Sequence, residues 1–138
     1  MVAWFTGDDR CWRAVSAARE MLAELNARIG ACAGAQIGVG IHVGEVIVGA
    51  LGSQNRLDYT AIGSTVNLSE RLCGAAQRGQ ILISQAVATE LGDSVSLHPL
   101  DPIHLKGFAD EIHVYEVVTE VASSTSVGFE NIPKTKIE

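Results

Sequence analysis

The sequence predicts an α+β fold, in which strands and helices follow one another and share one core. Apolar residues recur at helical spacing over twenty residues, from Arg10 to Ile29. Shorter stretches alternate with a period of two, as from Ile37 to Val43, which is typical of strands. A composition that is 47% apolar and 19% charged supports a packed core. The predicted order is strand, helix, strand, strand, helix, strand, short helix, strand, strand, with the helices on one face of a sheet.

The first two elements are separated by a short polar turn. Met1–Phe5 is an apolar run that predicts a buried strand, and Gly7-Asp8-Asp9 predicts a turn and a helix cap. The long helix from Arg10 to Ile29 has apolar residues on one side and charged residues on the other. We assign this helix a structural role.

The middle of the chain reads as a hairpin followed by a loop and a helix. The strand from Ile37 to Val43 meets a turn at Gly44-Glu45, and Val46–Val48 is predicted to pair back with it. A cluster of small and polar residues from Gly49 to Arg56 predicts a loop. The next helix is predicted to begin at Gly63-Ser64-Thr65, with Ser64 or Thr65 as its N-cap, and to end at Gln77-Arg78-Gly79.

The last third of the chain predicts three strands and one short helix. The strands are Ile81–Ser84, Val95–Leu97 and Ile112–Val118, and Ser84 is predicted to cap a helix from Gln85 to Leu91. The segment from Glu120 to Glu138 is rich in Ser and Thr at its start, which predicts a mobile tail or linker. We therefore expect one domain over residues 1–119 and a tail over 120–138.

Charge and cysteine content restrict the kind of protein. The net charge is −6 and Lys and Arg form no cluster, which argues against nucleic acid or an anionic membrane as the main partner. No apolar run is long enough for a membrane helix. Cys11, Cys32 and Cys73 have no C-x-x-C spacing, so we expect reduced thiols and a cytoplasmic location rather than a disulfide framework or zinc site.

Two polar residues of the second long helix are candidates for binding an anion. Asn67 and Arg71 are four residues apart, which places them on one helix face, about 6 Å apart along the axis. A planar guanidinium beside a carboxamide near a helix N-terminus suits a phosphate. Taken alone, the same spacing is also that of an ordinary exposed polar pair.

Four ordered motifs resemble one known family. GIHVGEVIVGALGS, DYTAIGSTVNLSERL, GQILIS and LKGFADEIHVYEV resemble segments of the class III nucleotidyl cyclase catalytic domain, the family of adenylate and guanylate cyclases. They follow the family's order and spacing and cover most of Met1 to Val118. The resemblance implies a ferredoxin-like βαββαβ core, formation of a cyclic nucleotide, and a head-to-tail dimer with the site at its interface.

The resemblance also implies a role for four residues. Asn67 resembles the residue that orients the ribose, and Arg71 resembles the one that stabilises charge on the α-phosphate. Lys106 resembles the loop lysine that contacts the terminal phosphates, although by itself it reads as a solvated lysine before a turn. Thr60 resembles a base-selecting position, and threonine there is typical of a bacterial subgroup that makes cyclic AMP. We therefore expect an adenylate cyclase that acts on ATP.

The metal-binding half of the family site is expected to be missing. Family members hold Mg²⁺ or Mn²⁺ with two aspartates, one on the first strand and one on a hairpin before the strand that MVAWF resembles. Neither segment is present in the sequence, which would start about one third of the way into the family's domain. Asp8 and Asp9 follow that strand rather than precede it, so we expect them to cap the helix. No metal ligand is assigned.

Three interpretations remain open at this point. The chain is part of a larger adenylate cyclase catalytic domain, or a natural half-site that pairs with a complete cyclase chain. Alternatively, it is a catalytically inactive cyclase-like interaction and dimerisation module. In each case, two copies of this chain alone are expected to be inactive, because neither brings the metal-binding carboxylates.

Overall fold

A four-stranded mixed sheet lies at the centre of the described chain. The structure is a computed structural model that describes residues 1–29, 37–53 and 56–119; the predicted tail, 120–138, lies outside them. The helices and strands are α1 (Arg10–Ile29), β1 (Val39–Ile41), β2 (Ile47–Ser53), β3 (Arg56–Ile62), α2 (Ser64–Ala75), β4 (Ile81–Ser84), α3 (Gln85–Leu91), β5 (Leu97–Pro99) and β6 (Val114–Val117). A 3₁₀ turn, Gly92–Ser94, follows α3.

The sheet has the order β1-β4-β6-β5. Strand β1 runs parallel to β4, with Val39 opposite Ile81, and the other neighbours are antiparallel. Strands β2 and β3 form a separate antiparallel ribbon in which Ile47 lies opposite Ile62. The mixed sheet with its helices confirms the predicted α+β class.

Two apolar clusters cover opposite faces of β4. Ile81 and Ile83 pack with buried residues of α1 and α3, whereas Leu82 packs with buried residues of α2. Successive residues of a strand point to opposite faces, so α1 and α3 lie on one face and α2 on the other. The prediction that all helices share one face is therefore wrong. The physical reason is that every residue of β4 is buried and needs cover on both sides.

The predicted first strand is not formed. Residues 1–6 have no strand structure, and Met1, Val2 and Trp4 are exposed. An apolar run becomes a strand only where a neighbouring strand supplies hydrogen-bond partners. Among the described strands, none pairs with this segment.

The predicted hairpin and loop also differ from the structure. Strand β1 pairs with β4 instead of with 46–48. Most of the predicted loop, 49–56, belongs to the ribbon in which β2 and β3 pair with each other. Gly49 and Gly52 interrupt the apolar alternation that would have marked a strand. The glycine-rich composition predicted a loop where backbone pairing formed a ribbon.

Candidate active site

Helix α2 is fixed to the sheet by two leucines on its inner side. Leu68 is 8% exposed and Leu72 is fully buried, and both pack in one cluster with Leu82 and Val114. Burying a leucine side chain stabilises the fold by about 2 kcal/mol. These contacts fix which side of α2 faces the solvent.

Glycines in β1 and on either side of it let α2 approach closely. A methyl group at Gly40 would lie 2.5 Å from the Ser69 carbonyl oxygen, and one at Gly38 would lie 2.7 Å from the Ala76 carbonyl oxygen. A methyl at Gly44 would lie 2.6 Å from Thr65 Oγ1. Larger residues at these positions would push the helix away from the strand.

The N-terminus of α2 is held by a tertiary contact rather than by a side-chain cap. The N-cap residue is Gly63, with φ 137°, and no side chain caps the helix, so the predicted capping by Ser64 or Thr65 is wrong. Thr65 Oγ1 instead donates a hydrogen bond of 2.7 Å to the Glu45 carbonyl oxygen. This bond connects the start of α2 to the segment between β1 and β2.

Asn67 and Arg71 are both exposed on α2, as their spacing predicts. Each helical residue turns by about 100°, so this pair is turned about 200° from Thr65 and Ser69, which face β1. Among the side chains that the structure describes, Arg71 has no ion-pair partner. The pair is therefore available to a ligand or a second protein on the side of α2 that faces away from β1.

Lys106 lies in a tight turn that packs on the same cluster as α2. The Phe108 backbone N–H donates to the Leu105 carbonyl oxygen over 3.1 Å, and Gly107 has φ 97°, which suits glycine. Lys106 is exposed, whereas Leu105 is 9% exposed and belongs to the apolar cluster that contains Leu68 and Leu72. The structure thus anchors the Lys106 turn and α2 to one apolar cluster.

Thr60 lies in β3, where its backbone is opposite Gly49 of β2. Strand β3 ends at Ile62, and Gly63 leads directly into α2. The backbone at position 60 therefore precedes the start of the helix that carries Asn67 by only a few residues.

Two shallow depressions of the described surface lie elsewhere. One, of about 680 Å³, follows the outer side of α1, and the other, of about 480 Å³, lies between residues 5–10, residues 43–46 and Glu90. Neither is lined by Asn67, Arg71 or Lys106. The three predicted residues stand on open surface and would need another surface to enclose a ligand.

The described residues do not fit the metal ion expected for the family. Among residues 1–29, 37–53 and 56–119, no group of three or more His, Cys, Asp or Glu side chains is placed to hold a metal. Asp9 Oδ1 lies 3.4 Å from the Arg13 guanidinium, and the Asp9 carbonyl oxygen accepts the Arg13 amide at the start of α1. Mg²⁺ and Mn²⁺ prefer several oxygen ligands, so we assign no chemistry here to a metal held by these residues.

A polar network joins α1 to α3, and sequence reasoning did not find it. Arg10 Nη2 donates to Glu90 Oε1 over 2.6 Å, and the Cys11 thiol donates to Glu90 Oε2 over 2.9 Å. Burial, together with the Glu90 carboxylate, raises the pKa of Cys11 to about 12. The hydrogen bonds from Cys11 and Arg10 lower the pKa of Glu90. The partners are about eighty residues apart, so no local pattern could reveal them.

A second pair, His42 and Ser84, joins the ends of β1 and β4. His42 Nδ1 lies 2.7 Å from Ser84 Oγ, and burial lowers the pKa of His42. His42 is thus partly buried and bonded to a side chain of the neighbouring strand. Ser84 precedes α3 as predicted, but its side chain makes no capping hydrogen bond.

Comparison with known proteins places these features in a family. The family model of the adenylate and guanylate cyclase catalytic domain matches residues 9–119. Adenylate cyclase 1 of Rhizobium meliloti is 41% identical over 81 residues, which cover 57% of this chain and 12% of that protein. The adenylate cyclase of Anabaena cylindrica is 37% identical over 86 residues, covering 59% of this chain and 17% of that protein. The chain thus spans a small part of these curated relatives.

Solved structures agree with the family model. The adenylyl cyclase CyaB from P. aeruginosa matches with a TM-score of 0.70 and 30% identity, covering 89% of this chain and 64% of that one. The guanylyl cyclase Cya2 matches with a TM-score of 0.73 and 32% identity, covering 85% of this chain and 62% of that one.

The order of the strands and helices, the motif that forms α2 and the residues matched by the family model all indicate the same family. Within the part of the chain that the structure describes, no helix is both long and apolar enough to cross a membrane. The chain belongs to the family of class III adenylate and guanylate cyclase catalytic domains, of which it carries a part.

Proposed function

We propose that this chain is part of an adenylate cyclase that converts ATP into 3′,5′-cyclic AMP and pyrophosphate. In this reaction the ribose 3′-oxygen attacks the α-phosphorus, the bond from that phosphorus to the pyrophosphate oxygen breaks, and the hydroxyl proton is lost. Asn67 orients the ribose and Arg71 stabilises the charge that develops on the α-phosphate. Lys106 contacts the terminal phosphates, and Thr60 contacts the adenine.

One observation carries this proposal. Asn67 and Arg71 stand side by side on exposed surface, on a helix whose neighbouring inner side is fixed by buried Leu68 and Leu72. Such a pair is preorganised, because the helix backbone sets its spacing and no described side chain neutralises Arg71. The exposed position suits a site that a second surface completes.

The rest of the site is proposed to come from outside the described residues. The carboxylates that would hold Mg²⁺ or Mn²⁺ belong either to another part of a longer protein or to a second cyclase domain in a homo- or heterodimer. The 138-residue chain is accordingly proposed to be inactive alone. The proposal of ATP as substrate rests on Thr60 and on the relatives named adenylate cyclases, and it implies cytoplasmic signalling through cyclic AMP.

Complementation tests the proposal. The chain would be mixed with a homologous complete cyclase domain whose own catalytic arginine is replaced, and cyclic AMP formed from Mn-ATP would be measured. We expect activity only in the mixture. Arg71→Ala should reduce that activity by roughly 10²- to 10³-fold, whereas Arg78→Ala, an exposed arginine just beyond α2, should leave it unchanged. A mixture equally active with Arg71→Ala would disprove the assigned role.

The domain boundaries are also a proposal. We propose that residues 1–119 form the cyclase unit and that 120–138 are a tail, which is supported by the end of the family match at residue 119. A chain that stops at residue 119 should then melt within about 2 °C of the full chain. A larger drop would place part of the tail in the fold.

A second candidate function is an inactive dimerisation module. Ile47 is 71% exposed and Ile62 is 44% exposed, and they lie opposite each other in the β2–β3 ribbon. An exposed apolar pair of this kind favours an interaction surface. Self-association of the chain by sedimentation, lost on Ile47→Lys, together with no ATP binding and no complementation, would favour this alternative.

A further inference from the structure

Thr65 occupies a position between the sheet and the two predicted site residues of α2. Its hydroxyl donates to the Glu45 carbonyl oxygen over 2.7 Å. Glu45 belongs to the segment between β1 and β2, not to the helix. The bond therefore fixes the helix to a different part of the chain and not merely to its own backbone.

The rest of the helix start provides little other restraint. The N-cap is Gly63, which has no side chain, and no side-chain capping bond is made. The Asn67 amide bonds to the Gly63 carbonyl oxygen over 3.2 Å, so the backbone just before Asn67 depends on where Gly63 and Thr65 lie. A helix without a capping side chain frays at its first turn unless another contact holds it.

Close packing makes the Thr65 contact directional. A methyl at Gly44 would lie 2.6 Å from Thr65 Oγ1, so the Thr65 side chain fits against bare backbone. Further along α2, the backbone of Ser69 and Cys73 lies directly over Gly40. The strand thus sets the distance of the helix, Leu68 and Leu72 set which side faces inward, and the Thr65 hydroxyl adds a restraint at the first turn.

We infer that Thr65 is a positioning residue for the cyclase reaction. It acts through Asn67 and Arg71 and does not touch the nucleotide. This inference rests on the proposed function of those two residues. A small rotation of α2 moves the Arg71 guanidinium, at the end of a long side chain, away from the place where charge develops. Misplacement of about 1 Å is sufficient to slow such a reaction strongly.

The kinetic test compares matched variants in the complementation mixture. Thr65→Val keeps the shape of the side chain and removes the hydroxyl, and Thr65→Ser restores the hydroxyl. The matched control is Thr89→Val on α3, which removes a hydroxyl bonded only within its own helix, to the Gln85 carbonyl oxygen. We expect Thr65→Val to lower kcat roughly fivefold to tenfold with KM for ATP within about twofold, and Thr65→Ser to recover most of the loss.

A purely structural role would give a different pattern. The loss of kcat would then follow the fraction of unfolded chain and disappear at a lower assay temperature. Thr65→Val with kcat equal to that of Thr89→Val, or a loss that vanishes on cooling, would overturn the inference.

Amide hydrogen exchange on the 138-residue chain alone tests the same inference without activity. Thr65→Val should speed exchange at the Asn67 amide and the next two amides by roughly tenfold, while α1 and β4 amides stay as in the wild type. Unchanged exchange at Asn67 would refute the positioning role, even if the mixture is active. If the wild-type chain fails to complement but exchange rises as expected, the proposed function fails while the role of Thr65 in holding α2 stands.

Discussion

Gly40→Ala is predicted to separate α2 from the sheet. The added methyl would lie 2.5 Å from the Ser69 carbonyl oxygen and 2.7 Å from the Leu72 carbonyl carbon, whereas ordinary contact begins at 3.4 Å. The Cys73 amide nitrogen lies closer still, so the helix or strand must move by more than about 0.9 Å, since backbone atoms cannot rotate away as a side chain would. Overpacking of this kind costs about 1–3 kcal/mol.

The matched control lies on the same helix. Gly74 has no atom within 4 Å of the position that a methyl would take, so Gly74→Ala adds helix propensity without a clash. It should stabilise the chain by about 0.5–1 kcal/mol. In a domain of this size, 1 kcal/mol shifts Tm by about 3–5 °C.

Thermal unfolding followed by circular dichroism measures both variants. Gly40→Ala should lower Tm by about 3–15 °C, and Gly74→Ala should raise it by about 2–5 °C. In the complementation assay, Gly40→Ala should lose more activity than its unfolded fraction explains, because displaced α2 carries Arg71. Equal melting temperatures for Gly40→Ala and the wild type would refute the close approach of α2 to β1.

Two further predictions concern titratable groups. Because burial and Glu90 raise the pKa of Cys11 to about 12, iodoacetamide at pH 8 should modify exposed Cys73 well before Cys11, as followed by mass spectrometry; equal rates would contradict the buried thiol. Burial lowers the pKa of His42 below its usual 6.5, so the unfolded chain binds the proton more readily than the folded one. The contribution of neutral His42 to stability should therefore be fully present above pH 6.5 and fall as the pH drops towards the folded-state pKa. The free energy of unfolding, measured with urea between pH 5 and 8, should depend less steeply on pH for His42→Gln than for the wild type. An equally steep dependence on pH would exclude His42 as the cause.

The helices could be predicted well because their signals are local. The bounds of α1 follow the apolar spacing from Arg10 to Ile29, and α3 follows Gln85 to Leu91 as predicted. The exposed positions of Asn67 and Arg71 also follow from helical spacing, once the buried side of α2 is known. Their roles, and those of Thr60 and Lys106, stay predictions, since they rest on resemblance to the cyclase motifs.

Strand partners could not be predicted because pairing is a long-range choice. The alternation at β1 is the same whether it pairs with residues 46–48 or with β4. Strand β1 pairs in parallel with β4 because β4 is apolar on both faces and needs a neighbouring strand, which β1 can supply. Gly38 and Gly40 then face α2, and the small residues of one strand face become the surface on which the helix packs.

The sequence by itself determined the family, the α+β class and the residues that stand on one side of α2, because these depend on motif order and helical periodicity. Only the tertiary structure decided that Thr65 bonds to Glu45, that Cys11 and Arg10 meet Glu90, and that α2 and the Lys106 turn rest on one apolar cluster. The physical reason is that each of these contacts joins segments distant in the chain. Their geometry is set by which faces must be buried together, and local preference does not specify it.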